Sequence, residues 1–292
     1  MQLYKTTIKL ESSLVTPLKG DTIWGYVVWG IANHEGDEAV SNFLNEEKSE
    51  DPSFIISSAF SKGTICKPYP KHKPRGEMST KKYADIKKNK KIKFVSSSDF
   101  FKTEQVSCNE SSPYKTTQVM HNGINRFSNT VEEGSLFSIQ EMWATQNEFD
   151  LYILSKYDDK RIKQLLEWAF ENGYGADSST GKGKICVGEV VKVETKLSTT
   201  KYVALAPFVT DFSGIRENSL RSDIFIRTGK IGGTFATYMS PYKKTIVMFD
   251  EGAVFETDVP IQFIGNLITN VHSDERICHS GFAPVIPIGE DL

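Results

Sequence analysis

Between Gly173 and Ile185 the chain reads Gly-Tyr-Gly-Ala-Asp-Ser-Ser-Thr-Gly-Lys-Gly-Lys-Ile, four glycines, three small hydroxyl residues and two lysines in one short stretch. Glycine turns the backbone through conformations closed to other residues and lets amides approach a ligand closely, so the composition suits contact with a polyanion. Ser178, Ser179, Thr180, Gly181, Lys182, Gly183 and Lys184 are the residues that would touch it. A nucleotide-binding P-loop does not fit. Five residues rather than four separate Gly175 from Gly181, Gly183 stands where Ser or Thr should hold magnesium, and the order is helix-loop-strand. An ordinary turn or a loop for nucleic-acid phosphates remains.

The flanking elements explain its position. Ile162, Leu165, Leu166, Ala169 and Phe170 recur at helical spacing, and Gly173 falls where a left-handed cap ends a helix. Ile185, Val187, Val191 and Val193 alternate with Cys186, Gly188, Val190 and Lys192 at the period of a strand. A second glycine-bearing turn is Thr16-Pro17-Leu18-Lys19-Gly20-Asp21-Thr22, after an opening strand over about Gln2 to Glu11. Asp21 is a candidate N-cap, and Ile23, Trp24, Val27, Val28, Ile31 and Ala32 form one apolar stripe, predicting a helix from about Thr22 to Asn33. Lys19 and the free amides of Gly20 and Thr22 would then lie at its positive end, suited to a phosphate; an ordinary strand-helix turn is the alternative. Ser107 to Val131 is polar and Asn-rich, punctuated by Pro113 and Gly123, and reads as a long loop, functional or disordered. It carries His121, Asn122, Asn125, Arg126 and Phe127.

These stretches, with Ser57-Ser58-Ala59-Phe60, His121-Asn122-Gly123-Ile124-Asn125-Arg126-Phe127, Lys230-Ile231-Gly232-Gly233 and the ending Gly281-Phe282-Ala283-Pro284-Val285-Ile286-Pro287, occur in an order that resembles the RAMP superfamily of CRISPR proteins. The resemblance spans nearly the whole chain and is to the Cas5-type subunit of the type III-A (Csm) effector. It implies an α+β fold: a ferredoxin-like (RRM-like) βαββαβ domain with insertions, followed by a smaller β-rich, degenerate ferredoxin-like unit. It implies a non-catalytic subunit, without cofactors, that binds the repeat-derived 5′ tag of crRNA and bridges a large polymerase-like Cas10-type subunit to a Cas7-type backbone subunit. Target RNA is then met indirectly. The long loop would be a thumb bending the RNA where tag meets guide: Arg126 paired with phosphate, Asn122 and Asn125 on base edges, Phe127 stacked on a base. Phe127 anchored in the protein's own core is the alternative. Lys230, Gly232 and Gly233 join Lys19, Gly20 and Thr22 as further expected contacts.

Composition bounds these expectations. The 292 residues, 39% hydrophobic, suffice for two ordinary domains, with a boundary at the polar link Leu197-Ser198-Thr199-Thr200, giving 1–196 and 197–292. The formal net charge of −2 argues against generic affinity for nucleic acid, so any RNA site must be local. The most basic segment is Lys67 to Lys93, dense in lysine against only Glu77 and Asp85 and broken by Pro68, Pro70 and Pro74. It is either a solvated insertion or an arm along RNA backbone. Asn45 to Pro52 reads as a solvated connection, and Leu136–Trp143 and Phe149–Ile153 as two strands. Beyond Thr200 come the short strand candidates Tyr202–Leu205, Tyr238–Met239, Thr245–Phe249, Ala253–Phe255 and Phe282–Ile288.

Cys66, Cys108, Cys186 and Cys278 are too scattered for a zinc site or disulfide framework, and no run of apolar residues reaches membrane-spanning length; a cytoplasmic protein is expected. His34, His72, His121, His272 and His279 form no acid-base pair in sequence. Metal-independent repeat-RNA cleavage, known among superfamily relatives, stays as one alternative, with His34 and His121 its candidates. A purely structural assembly subunit is the other.

Overall fold

A computed structural model describes residues 1–70, 92–97, 108–109, 112–194, 199–232 and 240–289. Strand β1 (Gln2–Leu10) leads to helix α1 (Gly20–Glu47), which breaks at Gly36, where φ is 84°. Then come β2 (Phe54–Ile56), β3 (Phe60–Ser61), β4 (Thr64–Cys66), β5 (Phe94–Ser96) and β6 (Cys108–Asn109). Next are β7 (Tyr114–His121), β8 (Ile124–Asn125), β9 (Thr130–Val131), β10 (Phe137–Ala144), β11 (Glu148–Ser155), helix α2 (Asp159–Phe170) and β12 (Ile185–Lys192). The rest is β13 (Lys201–Ala204), β14 (Ile224–Arg227), β15 (Ile246–Phe249), β16 (Val254–Glu256), β17 (Phe263–Ile264), β18 (Leu267–Ile268), β19 (His279–Ser280) and β20 (Ala283–Pro287). The fold is α+β, mostly strands, with α1 and α2 the two helices longer than a single turn among the described residues.

The main sheet runs β12-β1-β11-β2, all neighbours antiparallel, with β3 also paired to β11. Its central strand β11 reads Phe149, Leu151, Tyr152, Ile153, Leu154 and is buried nearly end to end, as a strand covered on both faces must be. One face meets the helices: Ile8 and Leu10 of β1 pack with Ile23, Trp24, Val27 and Ile31 of α1 and Ile162, Leu165 and Leu166 of α2. The other face meets the second half of the chain, where Tyr152 shares a cluster with Val203, Leu205, Val254 and Ile286. There β13 lies between β16 and β20, and β14 pairs with β15 apart from them. Residues 196–198, at the expected domain boundary, lie outside the described residues.

Two local expectations need correction. Helix α1 begins at Gly20 with Lys19 in the N-cap position, and Asp21 is inside the first turn, fully buried, its carboxylate turned to a distant arginine instead of capping. The helix also runs on to Glu47, so the expected solvated connection over 45–52 shortens to the exposed residues 48–51. Glu47 is buried, and its Oε1 accepts from the Ser53 amide and hydroxyl and the Phe54 amide, all at 2.9 Å, fastening the start of β2. Burial pushes its carboxyl up to about 7.

Candidate nucleic-acid interface

Where the sequence predicts a long loop, the chain forms a ribbon. β7 and β10 pair over their whole lengths, with His121 opposite Phe137 and Tyr114 opposite Ala144. At the base the Tyr114 ring stacks on Phe149, centroids 5.4 Å apart, and Leu14 and Met142 exchange backbone hydrogen bonds. At the far end β8 and β9 close a small hairpin over the turn Arg126-Phe127-Ser128-Asn129. The Asn125 Oδ1 accepts from the Phe127 amide (2.9 Å) and the Ser128 amide (3.4 Å), so this side chain sets the turn. Phe127 is wholly solvent-exposed, at 103% of its reference area, which disposes of the alternative that it anchors the loop to the core. Asn122 and Arg126 are also exposed.

The Gly-rich loop meets the ribbon near its base. Gly173, Gly175, Gly181 and Gly183 all have positive φ, as does Asp177, and Ser178–Thr180 makes a single 3-10 turn. At Gly183 a β-carbon would lie 1.9 Å from the Tyr174 carbonyl oxygen, so only glycine fits. Most loop amides are already taken: Gly183 donates to the Ser13 carbonyl, Lys184 to the Ser12 hydroxyl, Gly181 to the Ser178 carbonyl, and Thr180 and Lys182 to the Asp177 carbonyl. The lysines are paired too. Lys182 Nζ lies 2.6 Å from Glu141 Oε1 on β10 and 6.0 Å from the centre of the Trp143 ring, while Lys184 Nζ lies 3.0 Å from Glu11. Its hydrogen bond from Lys182, with Ser13 on the other oxygen, holds the Glu141 carboxyl below its ordinary value. The loop thus braces the ribbon, and Ser179, Thr180 and Gly181 form its exposed rim.

The segment from Lys19 to Thr22 is arranged differently from the predicted phosphate site. The Gly20 amide donates to Ser58 Oγ (3.2 Å) and the Thr22 amide to the Lys19 carbonyl (3.1 Å), so neither is free. Lys19 Nζ reaches across to Asp250 (2.9 Å) and Glu251 (2.5 Å). Burial raises the Glu251 carboxyl; burial opposes the Lys19 charge but the two acids outweigh it and raise that ammonium. Beside them Asp21 takes Arg227 in bidentate fashion (2.6 and 2.7 Å) and His279 Nε2 at 3.1 Å. Burial works against the Asp21 charge, but His279 and Arg227 prevail and hold its carboxyl at about 2. Lys230 is exposed over the Tyr242 ring, and Gly232 abuts the Trp29 indole on α1. Gly233, Tyr238–Met239, His72 and most of the basic segment lie outside the described residues.

The histidines have separate surroundings. His34 stacks on Trp168 and meets Glu171 at 2.8 Å, His272 meets the Ser240 carbonyl, and His121 stacks on Phe137 with its buried Nε2 unpartnered. Among the described residues no three His, Cys, Asp or Glu side chains gather as metal ligands. Cys66, Cys186 and Cys278 are free thiols, and among the described residues no helix is long and apolar enough to cross a membrane. Residues the sequence reading passed over are Ser13, Glu141 and Trp143. The alternation of Phe137, Ile139, Glu141 and Trp143 along β10 was the available signal for a shared face.

Neither a protein-family model nor a curated protein matches the sequence. Solved structures do. The chain aligns over 99% of its length with all of a chain from the Csm1–Csm4 cassette in complex with pppApA, at TM-score 0.62 and 13% identity. It aligns over 98% with 98% of a chain from the cassette in complex with cA4, at TM-score 0.61 and 13% identity. With a chain of the Csm3–Csm4 subcomplex in the type III-A CRISPR-Cas interference complex it aligns over 99%, covering all of that chain, at TM-score 0.59 and 14% identity. Csm4 is the component those assemblies have in common. At such identity the likeness is one of fold, and it extends from end to end.

Proposed function

We propose that the chain is a non-catalytic, RNA-binding subunit of a type III-A CRISPR interference complex, holding the repeat-derived 5′ tag of crRNA. The observation that carries this is the ribbon: it ends in an exposed Arg126 and a wholly exposed Phe127, and its base is fastened to the Gly-rich loop through Lys182 and Glu141. A guanidinium for phosphate beside an aromatic face for a base is the chemistry of single-stranded RNA recognition. In support, the shared fold occurs in assemblies named for Csm1 with Csm4 and for Csm3 with Csm4. The proposed partners are accordingly a Cas10-type large subunit and a Cas7-type backbone subunit. An apolar patch suits one of them: Ile224, Ile226 and Val247 share a face of the β14–β15 pair, each more than 60% exposed, with Phe212 adjoining through Phe249.

Residues 1–196 are read as the ferredoxin-like domain and 197–292 as the degenerate second unit. What supports the first assignment is the β-α-β-β-α-β succession of β1, α1, β2, β11, α2 and β12 with strand order β12-β1-β11-β2. The ribbon is then an insertion between the middle strands.

Incubating the purified chain with labelled repeat RNA tests the function. Specific binding without cleavage is the expected result. Cleavage would make it a repeat-RNA endonuclease, and neither binding nor cleavage would make it an assembly subunit with no RNA affinity of its own.

A further inference from the structure

One face of the ribbon carries aromatic surface that folding leaves uncovered. Directly opposed residues share a face, so Phe137, Ile139, Glu141 and Trp143 of β10 stand with His121, Val119, Thr117 and Lys115 of β7. The reverse face is polar at its centre, with Thr116, Gln118, Ser138 and Gln140. Trp143 is 50% exposed and Phe137 is 51% exposed. Lys115 stands directly across from Trp143, and the Lys182 ammonium, itself paired with Glu141, lies 6.0 Å from the Trp143 ring centre. Glu141, the acid on this face, is already neutralised by Lys182. Phe137 stacks with His121, centroids 5.6 Å apart and rings within 19° of parallel, which fixes the orientation of its ring. Phe137 and Trp143 are six residue steps apart, about 20 Å along a strand, or roughly six nucleotide steps at stacked spacing.

We infer that this face is a second base-stacking platform, with Trp143 and Phe137 each receiving an unpaired nucleobase of a single-stranded RNA running from the Gly-rich loop toward the tip. The inference rests on the RNA-binding reading and adds a track to it: Trp143 at the base, Phe137 with His121 midway, Phe127 at the tip. Aromatic faces interleaved with lysines recognise single strands of any sequence, because every base has a π-face and every nucleotide a phosphate. A protein partner would be expected to seek a more continuous apolar surface than Phe137, Ile139 and Val119 cut off from Trp143 by Glu141 and Thr117.

The full-length chain, its Trp143→Ala, Phe137→Ala and Trp143→Phe variants, and a labelled oligoribonucleotide with or without abasic positions provide the test. Each alanine should weaken binding of the intact strand about tenfold, Trp143→Phe should retain most of it, and an abasic site that weakens the parent should not weaken the matching alanine variant further. Because an alanine variant could misfold, quenching by RNA of the indole emission present in the parent and missing from Trp143→Phe reads the stacking in an intact ribbon. Folded alanine variants that bind like the parent, with no such quenching, overturn the platform and leave the RNA-binding reading standing. A parent chain that binds no RNA overturns both.

Discussion

Arg227→Met perturbs the joint at which the two halves of the chain meet around Asp21. Asp21 lies in the first turn of α1, Arg227 in β14 and His279 in β19, so one buried carboxylate gathers three distant segments. With Arg227 gone, Asp21 stays buried with only His279 beside it, a loss of up to about 3–5 kcal/mol. For a chain of this size that lowers the melting temperature by on the order of 10 °C. The Asp21→Asn/Arg227→Met pair should recover a large part, since it removes the stranded charge as well. The pH dependence supplies an independent figure. The Asp21 carboxyl falls from an ordinary 3.8 to about 2, so its stabilisation is fully present above pH 4 and disappears as pH falls through 2. That shift is worth about 2 kcal/mol, and this acid-side loss should shrink in the variant. Thermal melting followed by circular dichroism from pH 2 to 8 measures both effects. An Arg227→Met protein that melts with the parent yet binds RNA poorly would refute the joint and restore the Lys19–Thr22 turn as an RNA contact.

Lys19→Met should likewise lower the melting temperature, by stranding Asp250 and Glu251, while leaving RNA affinity unchanged in whatever fraction stays folded; filter binding after a melt checks this. Glu47 provides the opposite pH signature. Its carboxyl rises from 4.5 to about 7, so stability declines as pH rises through that interval, by about 3 kcal/mol, and Glu47→Gln should flatten that slope in urea titrations. Gly183→Ala should disrupt the loop by collision with the Tyr174 carbonyl, whereas Gly181→Ala meets open space and bears only the left-handed backbone cost of about 1 kcal/mol. Melting curves rank the two, and Gly181→Ala is therefore the variant in which RNA contact by the loop can be read.

Elements with a strong local period were legible in the sequence. The stripe of Ile162, Leu165, Leu166, Ala169 and Phe170 is α2, Gly173 is its left-handed end, β12 falls where alternation put it, and β10 and β11 coincide with the strands read at Leu136–Trp143 and Phe149–Ile153. The ribbon strand β7 was missed because Tyr-Lys-Thr-Thr-Gln-Val-Met-His is exposed along most of its length, and a strand with little to bury leaves little apolar pattern. Lys19 and Asp21 were misplaced for another reason. Local sequence suggested a phosphate site and a cap, while their partners lie 231 and 206 residues away, where no local rule can see them. Glu47 followed suit, an acidic residue in an acidic run that folding buries on three donors. Phe127 was assigned to an exposed, functional tip, yet the ribbon that carries it there was read as a loop.

Melting and RNA binding measured on one sample of Phe127→Ala test the central claim most directly. Phe127 touches solvent on every side, so the melting temperature should stay with the parent, while affinity for tag RNA falls by the roughly 1–3 kcal/mol of a lost stacking contact. Lost stability with normal tag binding, or no change in either, would contradict the claim that this ribbon is an RNA-binding thumb.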